Sequence, residues 1–296
     1  SLENLIFEVQ KATDSSEMKV SELIHLVSEP SCWNSFPPSK DRIYEMLKVE
    51  ETLRLSQAYI SECSRVKDEV NGWLRVTGEL QELVASHFGF SDEISNLFAV
   101  NLMRSAHNKY KDDPRFSKVS VYVRNNLAEK GYLKLGNDSV EVDIHDLNGN
   151  RIKLSSIIDK NDTLVISSSA TWQPFRAIIT MVSDYSETIY KNVNIVFIYI
   201  SEAHATDVWP IGLSAGVLNK KHRTIEDRIR CAKNMIDEHN FKIPVYLDNM
   251  KNGYRDTYSA WPFRIYGFKN GKIDYISDIE DAQFNISELF NYLKQV

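Results

Sequence analysis

Apolar residues recur at helical spacing from residue 2 to about residue 117. Val20, Leu23, Ile24 and Val27 share one face of a predicted helix over residues 18–27, and Pro30, Pro37 and Pro38 then break the pattern. Ser39 is placed to cap a long helix that carries Ile43, Met46, Leu47, Leu53 and Ile60. Gly72 and Gly78 are expected to interrupt the helical pattern beyond it. Another helix starts at Ser91, with Asp92 and Glu93 in its next turn, and runs through Ile94, Leu97, Phe98, Leu102 and Met103 to stop before Pro114.

Near Val119 the pattern changes. Residues 141–146 alternate apolar and polar, Asn148-Gly149 is a hairpin turn signal, and residues 151–154 form the returning strand. A β-branched run at residues 163–166 passes through small polar residues to Pro174 and a helical pattern of Ile178, Ile179, Met181 and Val182. Residues 193–200 read as a strand buried on both faces. A helix over residues 224–239, a strand at 245–247, strands at 264–269 and 272–276 around Asn270-Gly271, and a last helix capped by Ser287 complete the chain. The order βαβ, helix, ββα predicts an α/β chain whose thioredoxin-like C-terminal domain, residues 119–296, follows an all-α N-terminal domain, residues 1–118.

The strand, loop and helix over residues 163–190 organise this second half. Such a loop presents side chains and N–H groups at the positive end of a helix dipole, where a thiolate or an anion is stabilised. This loop holds no thiol. Its expected exposed residues are Ala170, Thr171, Trp172 and Gln173.

Charge and cysteine content narrow the function classes. Lysine and arginine number 35 against 41 acidic residues, a formal charge of −6 with no like-charge block, which argues against nucleic acid as a partner. Cys32, Cys63 and Cys231 have no metal-ligand spacing and read as reduced thiols. With no secretory signal pattern and no apolar run long enough for a span, the expectation is a soluble, cytoplasmic protein without membrane association. No cofactor or metal is predicted, and a homodimer is left open.

Several motifs of the C-terminal half resemble the iodothyronine deiodinase family. Ser169-Ala170-Thr171-Trp172-Gln173-Pro174-Phe175 matches the frame of the family's Ser-Cys-Thr-Sec-Pro-Pro-Phe loop. Tyr-Ile-Ser-Glu-Ala-His-Ala-Thr-Asp-Val-Trp, residues 199–209, is similar to the family's Tyr-Ile-Glu-Glu-Ala-His-x-x-Asp-x-Trp. His222 with Ile225, Glu226 and Arg228, then Asp248-Asn249-Met250 with Asn252, then Tyr258, Ala260, Pro262, Arg264 and Tyr266 extend the match. The resemblance covers residues 119–296 and departs from the family where the chemistry lies. Trp172 stands at the selenocysteine, Ala170 at the nearby cysteine and Phe263 at a glutamate. In the family a selenolate removes iodine from an aromatic ring, and indole is no comparable nucleophile. UGA encodes selenocysteine and, in some genetic codes, tryptophan, so Trp172 is open to two readings; the changes at Ala170, Gln173 and Phe263 favour a remodelled site.

His204 is then the leading candidate for chemistry, an imidazole in a loop with Glu202 and Asp207, either of which could fix its tautomer. With Trp172 and Thr171 it forms the predicted catalytic set. By resemblance to thioredoxin-like folds, Pro262 is a cis-proline beside the loop, and Arg264 and His222 are candidates to hold an anionic or phenolic group. Glu202, Ser169 and Trp209 complete the predicted substrate contacts, with Trp172, Trp209 and Trp261 converging as an aromatic wall. The resulting expectation is non-thiol chemistry on a small aromatic, phenolic or halogenated substrate; the alternative is a catalytically silent binding or regulatory protein.

Overall fold

A computed structural model describes residues 37–158, 162–188, 193–278 and 286–293. The predicted helix over residues 18–27 and Cys32 lie outside the described residues. The chain divides into two compact units, one of residues 1–126 with 208–214 and one of residues 127–207 with 215–296.

The first unit is helical. Ser39 Oγ accepts the Arg42 N–H at 3.2 Å and starts α1 (Lys40–Arg54). The single long helix predicted here is in fact two. Ser56 ends the first and caps α2 (Gln57–Arg65), its Oγ accepting the Tyr59 N–H at 3.2 Å and donating to Leu53 O at 2.6 Å. A serine that offers the backbone both a donor and an acceptor competes with helix continuation, and here it wins. Gly72 opens α3 (Gly72–His87) and Gly78 lies inside it, so neither interrupts a helix. Asp92, one residue beyond the predicted start, caps α4 (Glu93–Lys109), and α5 (Val121–Asn125) follows. Ile43, Met46 and Leu53 of α1 pack with Val76, Leu80 and Val84 of α3 and with Ala99 and Met103 of α4 in one core.

Residues 208–214 join this unit through specific bonds. The Leu213 N–H donates to Ser64 Oγ at 2.9 Å, and Ser214 Oγ donates to Cys63 O at 2.6 Å. Gly212 sits at φ +55° where a Cβ would fall 2.0 Å from Ser64 Oγ, so only glycine lets the chain approach α2 this closely. Trp209 places its ring edge-on to Trp73 and Tyr122, with centroids 6.4 and 5.9 Å away.

The second unit is built on a seven-stranded sheet whose strands, in spatial order, begin at residues 151, 143, 245, 194, 163, 264 and 272. The hairpin β1 (Asp143–His145) and β2 (Arg151–Lys153) leads through a short helix α6 (Ser155–Ile158) to β3 (Thr163–Ser168). Helix α7 (Gln173–Thr188) then carries the chain to β4 (Asn194–Tyr199), parallel to β3. Both strands are buried almost throughout, the usual state of paired parallel strands and the reason they read as unbroken apolar runs. After a loop, α8 (Ile225–His239) leads to β5 (Val245–Asp248), also parallel to β4. The short helix α9 (Gly253–Thr257) precedes β6 (Arg264–Lys269), which runs antiparallel to β3, and β7 (Lys272–Ile276) and α10 (Ile286–Leu293) complete the unit. This βαβ and ββα arrangement around a central β3 is a thioredoxin-like fold. Sequence periodicity missed α6 and α9, each too short to show a repeat.

Ser56→Ala is expected to lower the stability of the helical unit by about 1 kcal/mol, the usual loss of a serine cap, read as a lower urea midpoint. An unchanged midpoint would mean that packing alone separates α1 from α2.

Candidate functional site

The C-terminal end of β3 carries the candidate loop. Ser167 pairs with Arg264 across β3 and β6, and Ser168 Oγ donates to Pro262 O at 3.0 Å, so residues 169–172 lie beside the Trp261-Pro262 peptide, which is cis. Serines are tolerated in this buried strand end because each hydroxyl finds a carbonyl; Ser167 Oγ donates to Arg264 O at 3.0 Å.

The loop is buried where its polar composition predicts exposure. Thr171 is 0 % exposed and Trp172 7 %. What makes burial tolerable is Glu202. Its Oε2 accepts the Thr171 hydroxyl at 2.6 Å and the Thr171 N–H at 3.3 Å. Its Oε1 accepts the Tyr199 hydroxyl at 2.5 Å, Asn219 Nδ2 at 2.9 Å and His222 Nε2 at 3.1 Å. Tyr199 OH in turn accepts the Ala170 N–H at 3.1 Å, and Ser169 Oγ accepts the Ala203 N–H at 3.1 Å. Loop, strand end and the following segment are therefore tied to one carboxylate.

Glu202 pairs with His222 rather than with its sequence neighbour His204. Arg228, from the buried face of α8, donates through Nε to His222 Nδ1 at 3.1 Å. A guanidinium only donates, so Nδ1 must be the unprotonated nitrogen and Nε2 carries the proton given to Glu202. Arg228 is itself anchored on Asp248 O, Asn249 O and Asn252 Oδ1 at 2.8, 2.9 and 2.9 Å. His222, predicted to hold an anionic or phenolic group, is thus a buried link in a hydrogen-bond chain whose two ring nitrogens are both taken. Asp207, the other candidate partner of His204, receives the Lys221 N–H at 2.8 Å on Oδ1. His204 is held to the loop by its backbone, whose N–H donates to Thr171 Oγ1 at 3.1 Å.

Burial alone would raise the carboxyl pKa of Glu202. The bonds from His222, Thr171 and Tyr199 outweigh it and hold the group below its ordinary value, so the carboxylate is ionised. Burial, reinforced by that negative charge, pushes the Tyr199 hydroxyl well up and the Cys231 thiol up to about 12. Glu202, His222 and Cys231 present ligand atoms within 4.8 Å of one another. A cation there would need the Nε2 lone pair, which moves the ring proton to Nδ1 and against the Arg228 donor. The cluster is accordingly better suited to hydrogen bonding than to metal.

Trp172 stacks on Phe263, with ring centroids 5.1 Å apart and planes inclined by 21°, and Phe263 continues to Phe175 at 6.2 Å. Arg264 is buried and reaches no carboxylate among the described residues; its Nη1 and Nη2 donate to Glu129 O and Lys130 O at 3.3 and 3.0 Å. Of the predicted residues, Ser169, Thr171, Glu202 and His222 come together around one carboxylate, with His204 attached through its main chain. Trp209 belongs to the helical unit, where its ring meets Trp73 and Tyr122 edge-on. Sequence reasoning missed Tyr199, Asn219 and Arg228 as members of the network. Arg228 could have been found, since it occupies the apolar stripe of α8 with Cys231, Ala232 and Met235.

A family model for iodothyronine deiodinase matches residues 97–296. The chain belongs to the iodothyronine deiodinase family. Among curated relatives it is 31% identical to a type I iodothyronine deiodinase of Xenopus laevis over 142 residues, 48% of this chain and 55% of that protein. It is 33% identical over 118 residues to a thyroxine 5-deiodinase of Sparus aurata, covering 39% and 41%, and 28% identical over 136 residues to that of Homo sapiens, covering 46% and 44%. The chain thus spans about half the length of the deiodinases it matches. Solved structures similar to it include a peroxiredoxin-like protein from Aquifex aeolicus, at 14% identity and TM-score 0.38 over 57% of this chain and 90% of that one. A thioredoxin domain from a Bacteroides vulgatus thiol-disulfide oxidoreductase aligns at 20% identity and TM-score 0.35 over 54% and 99%. Among the described residues no helix is long and apolar enough to cross a membrane.

Because the folded pKa of Glu202 lies below its ordinary 4.5, its contribution is complete above that value and is lost as pH falls through the folded one. Glu202→Gln is expected to cost about 2 kcal/mol near neutral pH, through donors left without an acceptor, and to flatten the acid-side loss of stability. Urea titrations at neutral and acid pH check both; parallel pH profiles for the two proteins would assign the titration elsewhere.

Proposed function

We propose that this deiodinase-family chain binds a small aromatic ligand, phenolic or halogenated, and does not carry out reductive dehalogenation. The observation that carries the reading is the Trp172–Phe263 stack. By the motif match, those two rings stand where the family has its selenocysteine and a glutamate, and each fills space beside the other. An indole supplies neither a nucleophile nor a group that thiol can regenerate. Of the described cysteines, Cys63 and Cys231 are both buried, and the Cys231 thiol is held protonated. The hydrogen-bonded frame around Glu202 is nevertheless complete, which supports a loop kept in shape for recognition. The reading extends to a cytoplasmic protein that acts on its own or as a homodimer.

The bond between the His204 N–H and Thr171 favours a second reading, in which His204 is acid or base toward the same ligand and Arg264 anchors its anionic group. Halide release separates the two. Iodinated and brominated tyrosines and thyronines are offered with excess dithiol to the unchanged protein, His204→Ala and Trp172→Cys, with calorimetric binding measured in parallel. The expected result is binding without release by the unchanged protein, and release gained only by Trp172→Cys. Release by the unchanged protein that His204→Ala abolishes, with its melting temperature preserved, would replace the first reading by the second. Absence of both binding and release would rule out the aromatic ligand.

A further inference from the structure

Arg264 is a formal cation with 3 % of its surface exposed, and no acidic side chain pairs with it among the described residues. Its guanidinium is held by two main-chain carbonyls, Glu129 O and Lys130 O, and its buried Nε has no hydrogen-bond partner. Carbonyl oxygens carry only partial charge, so among the described residues this arrangement gives the buried guanidinium no formal counter-ion, which an anion would supply.

The carbonyls belong to residues 127–132, a segment without helix or strand between α5 and the bridge of Asp138 to Lys272. Two contacts beyond Arg264 seat it. Glu129 Oε1 accepts the Ser259 hydroxyl at 3.0 Å, and Gly131, at φ +75°, lies so close that a Cβ would fall 2.4 Å from Ser259 Oγ. The outward side chains are apolar for a surface segment, with Leu127 44 % and Tyr132 64 % exposed.

We infer that residues 127–132 are a displaceable strap, which lends its Glu129 and Lys130 carbonyls to Arg264 until the carboxylate of an aromatic ligand takes their place. The inference rests on the aromatic-ligand reading above. A carboxylate matches the planar guanidinium with two parallel bonds and brings the formal charge the carbonyls lack, which is why it displaces them. Once free, the strap exposes Lys130 to solvent on its main-chain side, and the ligand's ring gains the space the strap vacates. Binding and strap opening are then one equilibrium, so loosening the strap strengthens binding.

The probes are 4-hydroxybenzoate and its uncharged counterpart 4-hydroxybenzamide, with binding by calorimetry and strap opening by amide exchange over residues 127–133 and tryptic cleavage after Lys130. Gly131→Ala unseats the strap without touching Arg264, since a Cβ at that φ meets Ser259. It is expected to bind the benzoate at least about threefold more tightly than the unchanged protein and to be cut faster without ligand. Benzoate, and not benzamide, should raise exchange and cleavage in the unchanged protein. Arg264→Lys should open the strap with no ligand present, because an ammonium cannot hold both carbonyls in the fork. Benzoate binding with no change in strap exchange, and equal affinity in Gly131→Ala, would overturn the strap and leave the ligand reading standing. Binding of both probes equally would overturn the displacement by charge, and binding of neither to any variant would overturn the strap's role along with the ligand reading.

Discussion

One buried carboxylate holds the candidate loop in place. Glu202 accepts from Thr171 twice and from Tyr199, Asn219 and His222 once each, and these donors come from the loop after β3, the end of β4 and the return segment before α8. Each bond to an ionised acceptor is worth about 1.5–3 kcal/mol when buried, so their removal would leave several polar groups stranded at once. The remainder of the polar network is subordinate to this. Arg228 fixes the His222 tautomer, and the tautomer supplies the proton that Glu202 requires.

This frame surrounds a loop position occupied by Trp172. Stacking Trp172 on Phe263 gains about 0.5–1.5 kcal/mol beyond the area buried, and it joins the loop to the aromatic sequence Phe263, Phe175 and Phe197. A polar frame held by Glu202 therefore meets an apolar floor at residue 172. A charged group at this boundary would be desolvated against Phe263, which is consistent with the aromatic ligand proposed above. The family membership establishes the fold, and function has to be argued from the side chains at the site rather than from the fold.

Much of the second unit was legible because its signals are local. The apolar runs of β3 and β4, the Asn270-Gly271 turn between β6 and β7, and the start of α8 near Thr224 each depend on neighbours in sequence. The site was less legible because its bonds are not local. Thr171, with its small polar neighbours, reads as exposed until Glu202 is found 31 residues away to satisfy it. His204 lies two positions from Glu202 and His222 twenty, yet the return of the chain at Asn219 brings the distant ring to the carboxylate. The split at Ser56 escaped for a different reason. Ile43, Met46, Leu53 and Ile60 all face or adjoin one core, so the apolar spacing continues across a break that only the hydroxyl bonds reveal.

Two buried arginines in the second unit show how the same side chain can be finished or left open. Arg228 places Nε on His222 and its two Nη atoms on three oxygens, and the Glu202 carboxylate lies one residue further along the chain of bonds. Each of its three nitrogens has a partner, although burial still pulls its pKa below the ordinary value, and a ligand could only disturb those bonds. Arg264 has two carbonyls, an unsatisfied Nε and no carboxylate among the described residues. Both are equally hidden from water, so burial does not distinguish them; the completeness of their partners does. A buried guanidinium nitrogen without a partner is therefore found at Arg264 and not at Arg228. His222, locked between Arg228 and Glu202, belongs to the scaffold for the same reason, and on the proposed reading the start of β6, next to Phe263 and Trp172, is where a ligand would be recognised.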